Sequence, residues 1–160
     1  MSNLLTKEPF SRHDLFGMPV SQYRVERVGH HQRHLYADLF NQHGDSRRDY
    51  TGKAIVYPMN EGWFNSESVL YVVLTNYPAS VPVGFIQLYL MSFSIHAASA
   101  TIVHDLYVLP AYRNNGAALK LVEAAVKFAI LNHSDFIRLE ILEENLSAKK
   151  LFESVGFKCH

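Results

Sequence analysis

The chain reads as an α+β domain in which an antiparallel meander is followed by a strand–helix–strand–helix unit in one mixed sheet. Three observations predict this. Residues 68–75, 83–94 and 100–108 are runs rich in Val, Leu, Ile and Tyr with short connections between them, the pattern of consecutive antiparallel strands. After Pro110 the apolar residues switch to helical spacing. Residues 101–155 then alternate strand, helix, strand and helix, which makes a right-handed crossover with one parallel strand pair.

Taken in order, residues 1–18 form an N-terminal extension that mixes Lys7, Glu8, Arg12, His13 and Asp14 with scattered apolar residues. It has no uninterrupted apolar core of the kind that marks a signal peptide. Residues 22–28 alternate in polarity and read as a first strand, ended by Gly29. Residues 30–41 read as a helix with Leu35, Leu39 and Phe40 as its apolar stripe. Residues 42–66 are polar and punctuated by Gly44, Gly52, Pro58 and Gly62, an irregular stretch with room for a short helix. Long stretches of this kind often carry binding loops. Tyr57, Trp63 and Phe64 within it either anchor the loop to the core or wall a substrate.

The continuous apolar run at 68–75 suits a strand buried on both faces, and 76–82 supplies turn residues. The runs at 83–94 and 100–108 are joined by small residues around 96–99. Ala118, Leu121, Val122, Ala125 and Ala129 then share one helical face, with Lys120, Glu123 and Lys127 opposite. Residues 136–141 form a further strand. Asn145 can cap a last helix whose apolar face is Ala148, Leu151, Phe152 and Val155, and Gly156 ends it. Residues 1–160 thus make a single domain without internal repeats.

Composition narrows the function classes. Hydrophobic residues make up 48% and charged residues 19%, which excludes a disordered chain. Fifteen Lys plus Arg balance fifteen Asp plus Glu, so no basic surplus supports a nucleic-acid partner. The most apolar stretch, 81–95, carries Gly84 and Gln87 and is too short to span a bilayer, so no membrane association is expected. Cys159 is the only cysteine, which excludes an intramolecular disulfide and fits a cytoplasmic protein. Nine histidines include His30 and His34 one turn apart, with His31 and His43 nearby. No pattern such as His-Glu-x-x-His accompanies them, and no metal is expected.

The segment Tyr112-Arg113-Asn114-Asn115-Gly116-Ala117-Ala118 lies between a strand and a long helix. The first amides of a helix lack internal partners, and the helix dipole adds partial positive charge there. Gly116 and Ala118 let a pyrophosphate approach that backbone, and Arg113 adds a charge. A strand-to-helix turn that needs its glycine for steric reasons alone explains the same residues.

The wider context is more specific. His104-Asp105-Leu106-Tyr107-Val108-Leu109-Pro110, running into Arg113 to Ala118, resembles the acetyl-CoA motif of the GNAT superfamily of N-acetyltransferases. About thirty residues on, Asn145-Leu146-Ser147-Ala148-Lys149-Lys150-Leu151-Phe152-Glu153-Ser154-Val155-Gly156-Phe157 resembles its second signature. The stretch 83–89 also resembles members near the small-molecule and aminoglycoside N-acetyltransferases. The resemblance is close over 83–157 and weak before Ser68.

The resemblance implies a GNAT-like sheet, acetyl-CoA as co-substrate, and the following roles. The main chain of Leu106, Tyr107 and Val108 would bond the pantetheine arm where this strand splays from its parallel neighbour. The amides of Arg113, Asn114, Asn115, Gly116, Ala117 and Ala118 would hold the pyrophosphate. Asn145 would contact the cofactor as well as, or instead of, capping its helix. Phe152 would either line the acetyl end or serve the core. His104 and Asp105 stand where relatives carry acidic or amide residues. His104 has the better pKa for a base near neutrality, and Asp105 is better suited to orient a cationic amine. Adjacent strand residues face opposite ways unless a bulge intervenes, so one of the two is expected to face the pocket. Many relatives have a Tyr where Phe152 stands, so Tyr107 becomes the candidate acid.

Relatives also continue past the Gly-Phe with two antiparallel strands, whereas this chain ends at His160. The C-terminal strands are therefore expected to be truncated, leaving an open edge at 136–141. A homodimer is the expected cover, with the N-terminal arm as the alternative. The sequence points to an N-acetyltransferase acting on a primary amine of a small molecule. The alternative is a GNAT-like acyl-CoA-binding module without turnover, serving as a sensor or assembly component.

Overall fold

The computed structural model describes residues 2–7, 22–46, 67–94 and 98–160. One sheet organises them, in the order β2-β3-β4-β5-β6-β1-β7. Its strands are β1 (Ser2–Lys7), β2 (Tyr23–Val28), β3 (Val69–Thr75), β4 (Pro82–Phe93), β5 (Ala98–Val108), β6 (Phe136–Leu142) and β7 (Lys158–Cys159). Every neighbouring pair is antiparallel except β5 and β6. The expected meander is β3-β4-β5, and the crossover from β5 to β6 runs through α2 (Ala117–Leu131).

The sheet carries a layer on each face. Leu121, Val122, Ala125 and Ala129 of α2 and Phe152 of α3 (Leu146–Ser154) are buried in one core against Ile86, Leu88, Val103 and Ile137 of the sheet. Leu39 and Phe40 of α1 (Ala37–Ser46) are buried on the other face with Leu70, Val72, Phe85 and Tyr107. Burying such side chains contributes roughly 1.5–3 kcal/mol each, so the two clusters bind the layers to the sheet. Residues 30–41, expected as one helix, divide into a 3-10 segment (His30–Tyr36) and α1, which continues past Gly44 to Ser46. A glycine costs a helix about 1 kcal/mol, and the buried Leu39, Phe40 and His43 face offsets it.

The expected open edge is not open. β1 lies antiparallel to β6 from Ser2 opposite Leu142 to Lys7 opposite Ile137, and Leu5 is fully buried in the α2–α3 core. β7 then pairs with β1, and the amide of His160 donates to the carbonyl of Leu4 at 2.9 Å. The extension therefore supplies the strand that the C-terminus was expected to lack, and a short β7 adds the next. The argument for a homodimer joined along β6 loses its basis. The sequence hid β1 because Ser2–Lys7 contains only Leu4 and Leu5 as apolar residues, too few for a periodicity. Tyr57, Trp63 and Phe64 lie outside the described residues.

Candidate active site

β5 and β6 begin as a parallel pair, but their ladder covers only residues 100–103 against 136–139. β5 stays on β4 up to Gly84 opposite Val108, while β6 follows β1, so the two strands part. A cavity of about 630 Å³ opens at the fork. Leu106, Tyr107 and Val108 of β5 form one wall, and Asn145, Ser147, Ala148, Lys150 and Leu151 the other. Arg113, Asn114, Gly116, Ala118 and Leu119 line one end, and His43 and Ser46 of α1 also face it.

The strand wall depends on Gly84. A Cβ there would sit 2.5 Å from the carbonyl oxygen of Tyr107 and 3.0 Å from a Val108 methyl. Only a glycine lets β4 come this close to the end of β5. At the turn, Gly116 adopts φ 88° as the N-cap of α2, and no side chain caps the helix. The first intrahelical bond runs from the amide of Lys120 to the carbonyl of Gly116. The amides of residues 117–119 are therefore donors without helical partners, suited to an anion. Arg113 donates from Nε to the carbonyl of Val108 at 2.9 Å, and its guanidinium carbon lies 5.7 Å from the Tyr107 ring centroid. That ties the turn back to the strand.

Eight of the residues expected to bind the cofactor meet at this cavity: Leu106, Tyr107, Val108, Arg113, Asn114, Gly116, Ala118 and Asn145. Asn145 is also a helix cap, its Oδ1 accepting from the amide of Ala148 at 3.1 Å. Three others do not line it. The Ala117 side chain is buried in the core, and the Asn115 carbonyl accepts from Gln22. Phe152 is 2% exposed, with its ring 5.1 Å from that of Phe157, so its side chain serves the core.

A register shift sets the geometry near Tyr107. Asp105 lies opposite Gln87 but Val103 opposite Leu88, so His104 is an extra residue in β5. This bulge overturns the alternation that would have sent His104 and Asp105 to opposite faces. His104 Nδ1 is 2.8 Å from Asp105 Oδ2. Asp105 Oδ1 is 3.0 Å from Nε2 of His43, a residue that sequence reasoning placed only among the histidines. A usable signal was its position three residues after Phe40, which continues the buried stripe of α1. Burial works to raise the Asp105 carboxyl. The hydrogen bonds from His104 and His43, with the charges of the two rings, outweigh it and hold the carboxyl well below the usual carboxylate range. The His43 ring packs 4.9 Å from Tyr107 and 5.5 Å from Phe85.

Among the described residues, no group of three or more His, Cys, Asp or Glu is arranged to hold a metal, and no helix is long and apolar enough to cross a membrane. The chain is 32% identical over 126 residues to an uncharacterized N-acetyltransferase, YhfO, of Bacillus subtilis (strain 168), covering 76% of this chain and 80% of that protein. The crystal structure of a probable acetyltransferase matches with a TM-score of 0.71 and 27% identity, over 84% of this chain and 89% of that one. An aminoglycoside acetyltransferase, meta-AAC0020, from an uncultured soil metagenomic sample shares the fold at a TM-score of 0.67 and 15% identity, over 84% of this chain and 88% of its own. The family model of the acetyltransferase (GNAT) family matches residues 30–157. The chain belongs to the GNAT family of acetyltransferases.

Proposed function

We propose that this protein transfers the acetyl group of acetyl-CoA to a primary amine of a small molecule. The observation that carries the reading is the fork between β5 and β6, which places uncapped helix amides and open strand backbone along one cavity. Its residues fit the co-substrate. Apart from its own chain neighbours, nothing lies within 4 Å of where a Gly116 Cβ would be, so a phosphate has space to approach the start of α2. The wall at Leu106, Tyr107 and Val108 offers main-chain groups to a pantetheine arm.

Bound acetyl-CoA would supply an activated acyl group with a thiolate as leaving group. The protein's part is to hold and deprotonate. A backbone N–H of the parted β5 strand stabilises negative charge developing on the carbonyl oxygen. His104, whose side chain is 56% exposed, collects the proton lost by the amine nitrogen as the new C–N bond forms. Tyr107, the nearest replacement in sequence for the tyrosine that many relatives carry, returns a proton to the departing thiolate. Asp105 has both oxygens engaged by imidazoles, so its part is to hold His104 rather than to bind a cationic amine.

A thiol-release assay with acetyl-CoA across a panel of small primary amines tests the reading. Amine-dependent thiol release with matching N-acetylated product is expected. Tight acetyl-CoA binding with no release for any amine would favour the acyl-CoA-binding module. The buried phenyl of Phe152, where many relatives have a tyrosine, is the observation on that side.

A further inference from the structure

Three side chains from two distant parts of the chain meet beside the cavity. His43 comes from α1, and Asp105 and His104 from the bulge in β5. A carboxylate oxygen only accepts, so the imidazole nitrogen facing it carries the proton. His43 therefore donates from Nε2 to Oδ1 across 3.0 Å, and His104 donates from Nδ1 to Oδ2 across 2.8 Å. The rings are thus held as opposite tautomers, which places the lone pair of His104 on Nε2 when that ring is neutral. Their surroundings differ as sharply. The side chains of His43 and Asp105 are 9% and 5% exposed, against 56% for His104.

We infer that His43 is a positioning residue, which locks the Asp105 carboxylate from the α1 side and through it presents Nε2 of His104 to the acceptor amine. The inference rests on the acetyltransfer reading and on His104 as its base. A carboxylate held by one oxygen still swivels about its side-chain torsions. With Oδ1 fixed by a buried ring, Oδ2 has a single place, and so does the imidazole bonded to it. His43 is itself fixed by the rings of Phe85 and Tyr107. In the transfer, the amine proton passes to His104 Nε2, the amine lone pair forms the bond to the acetyl carbon, and the C–S electrons leave with the thiolate. No proton moves to or from His43.

Other titratable groups surround the three. From β4, the Tyr89 ring lies 5.4 Å from that of His104. From β5, Tyr107 lies beside His43 with Arg113 over its face. Arg33 reaches the same side of the sheet through Ser68, which also accepts from Gln87 at 2.9 Å. The test must therefore read His104 itself rather than a bulk pH profile.

Nitrogen NMR of the full chain, labelled in its imidazoles, does so without any acceptor. In the unaltered protein His104 should be protonated on Nδ1 and His43 on Nε2 throughout the neutral range. In His43→Phe, a phenyl suited to the same aromatic niche, His104 should lose its fixed tautomer and its titration midpoint should move. His43→Gln keeps an N–H donor toward Oδ1 and should restore both. With an amine found to be a substrate, kcat should fall on the order of 10- to 100-fold in His43→Phe, the scale of a misplaced catalytic group. The Gln variant should recover most of it, and KM for acetyl-CoA should change little in either. An unchanged His104 tautomer and midpoint in folded His43→Phe overturns the inference, as does a Gln variant no better than Phe. A silent amine panel beside the expected NMR pattern would instead sink the acetyltransfer reading while supporting the hold of His43 on His104.

Discussion

The α2 end of the cavity and the side-chain cluster beside the cavity are built in opposite ways. The end at the start of α2 comes from one unbroken stretch, Arg113 to Ala118, whose useful groups are backbone amides. The cluster beside it joins His43, which lines the cavity, to Asp105 and His104, which do not, about sixty positions away, and its useful groups are side chains. A backbone site needs only the right turn and small residues, so it is carried by a short motif. A side-chain site needs a bulge, a buried helix face and a register, each set by tertiary packing. The first end therefore should tolerate changes in the core and fail on local bulk or charge. The second should respond to changes in partners that never touch a substrate.

The largest expected effect concerns a residue that the second signature motif leaves open between the acetyl end and the core, and that the fold buries in the core. Phe152 is buried against Phe157, and Phe152→Ala should cost about 3–5 kcal/mol of stability. Chemical denaturation would measure it. Acetyl-CoA affinity of the fraction that stays folded should change little. A variant with full stability and weakened acetyl-CoA binding would return Phe152 to the cavity and blur the contrast.

Legibility in the sequence follows the same division. The meander, the crossover and the cavity's α2 end could be read because apolar period, proline and glycine placement are local signals. Leu106, Val108, Gly116 and Asn145, which the motifs single out, line one cavity. The burial of His43 was legible from its spacing after Phe40, but its partner was not, because Asp105 is brought near only by packing α1 on the sheet. The bulge at His104 was out of reach because a one-residue register shift leaves no trace in a single strand's pattern. β1 was reached only as the alternative cover of the β6 edge, and its strand was not legible in itself, for a third reason. Six residues with two leucines do not show a period, and their strand form depends on the edge of β6 waiting to be covered.

Asp105→Asn should have the next largest effect, and it has two readouts. An asparagine can turn its N–H toward His104 and spoil the tautomer, so acetyl transfer should fall on the order of 10²–10⁴-fold, the usual worth of general base catalysis. His104→Ala should fall similarly and lose the ascending limb of its pH profile near neutrality. A loss confined to Asp105→Asn, with His104→Ala unaffected, would move the base to Asp105. The second readout is stability in acid. A carboxyl held low in the folded state stabilises the protein above its unfolded value, near ~3.9, and that contribution is lost as pH falls toward the folded value. Urea titrations below pH ~4 should therefore show a steeper loss in the unaltered protein than in Asp105→Asn. Parallel curves would mean that the two histidines do not stabilise the ionised carboxylate.

The smallest effect, and the most local, is expected at Gly116. Glutamate there would set a carboxylate into the open space in front of the α2 amides, where it competes with a pyrophosphate for the same donors. Acetyl-CoA binding by calorimetry should weaken at least about tenfold, or ~1.4 kcal/mol. Backbone strain must be separated from charge, because Gly116 has φ 88° and any side chain resists that conformation. Gly116→Ala carries the strain without the charge, and its Cβ meets nothing within 4 Å. If the amides hold the phosphates, the alanine variant should lose some stability but keep most of its affinity, and the glutamate variant should lose both. Equal affinities in the two folded variants would show that the anion site lies elsewhere along the cavity, with Arg113 and Lys150 as the next positions to change.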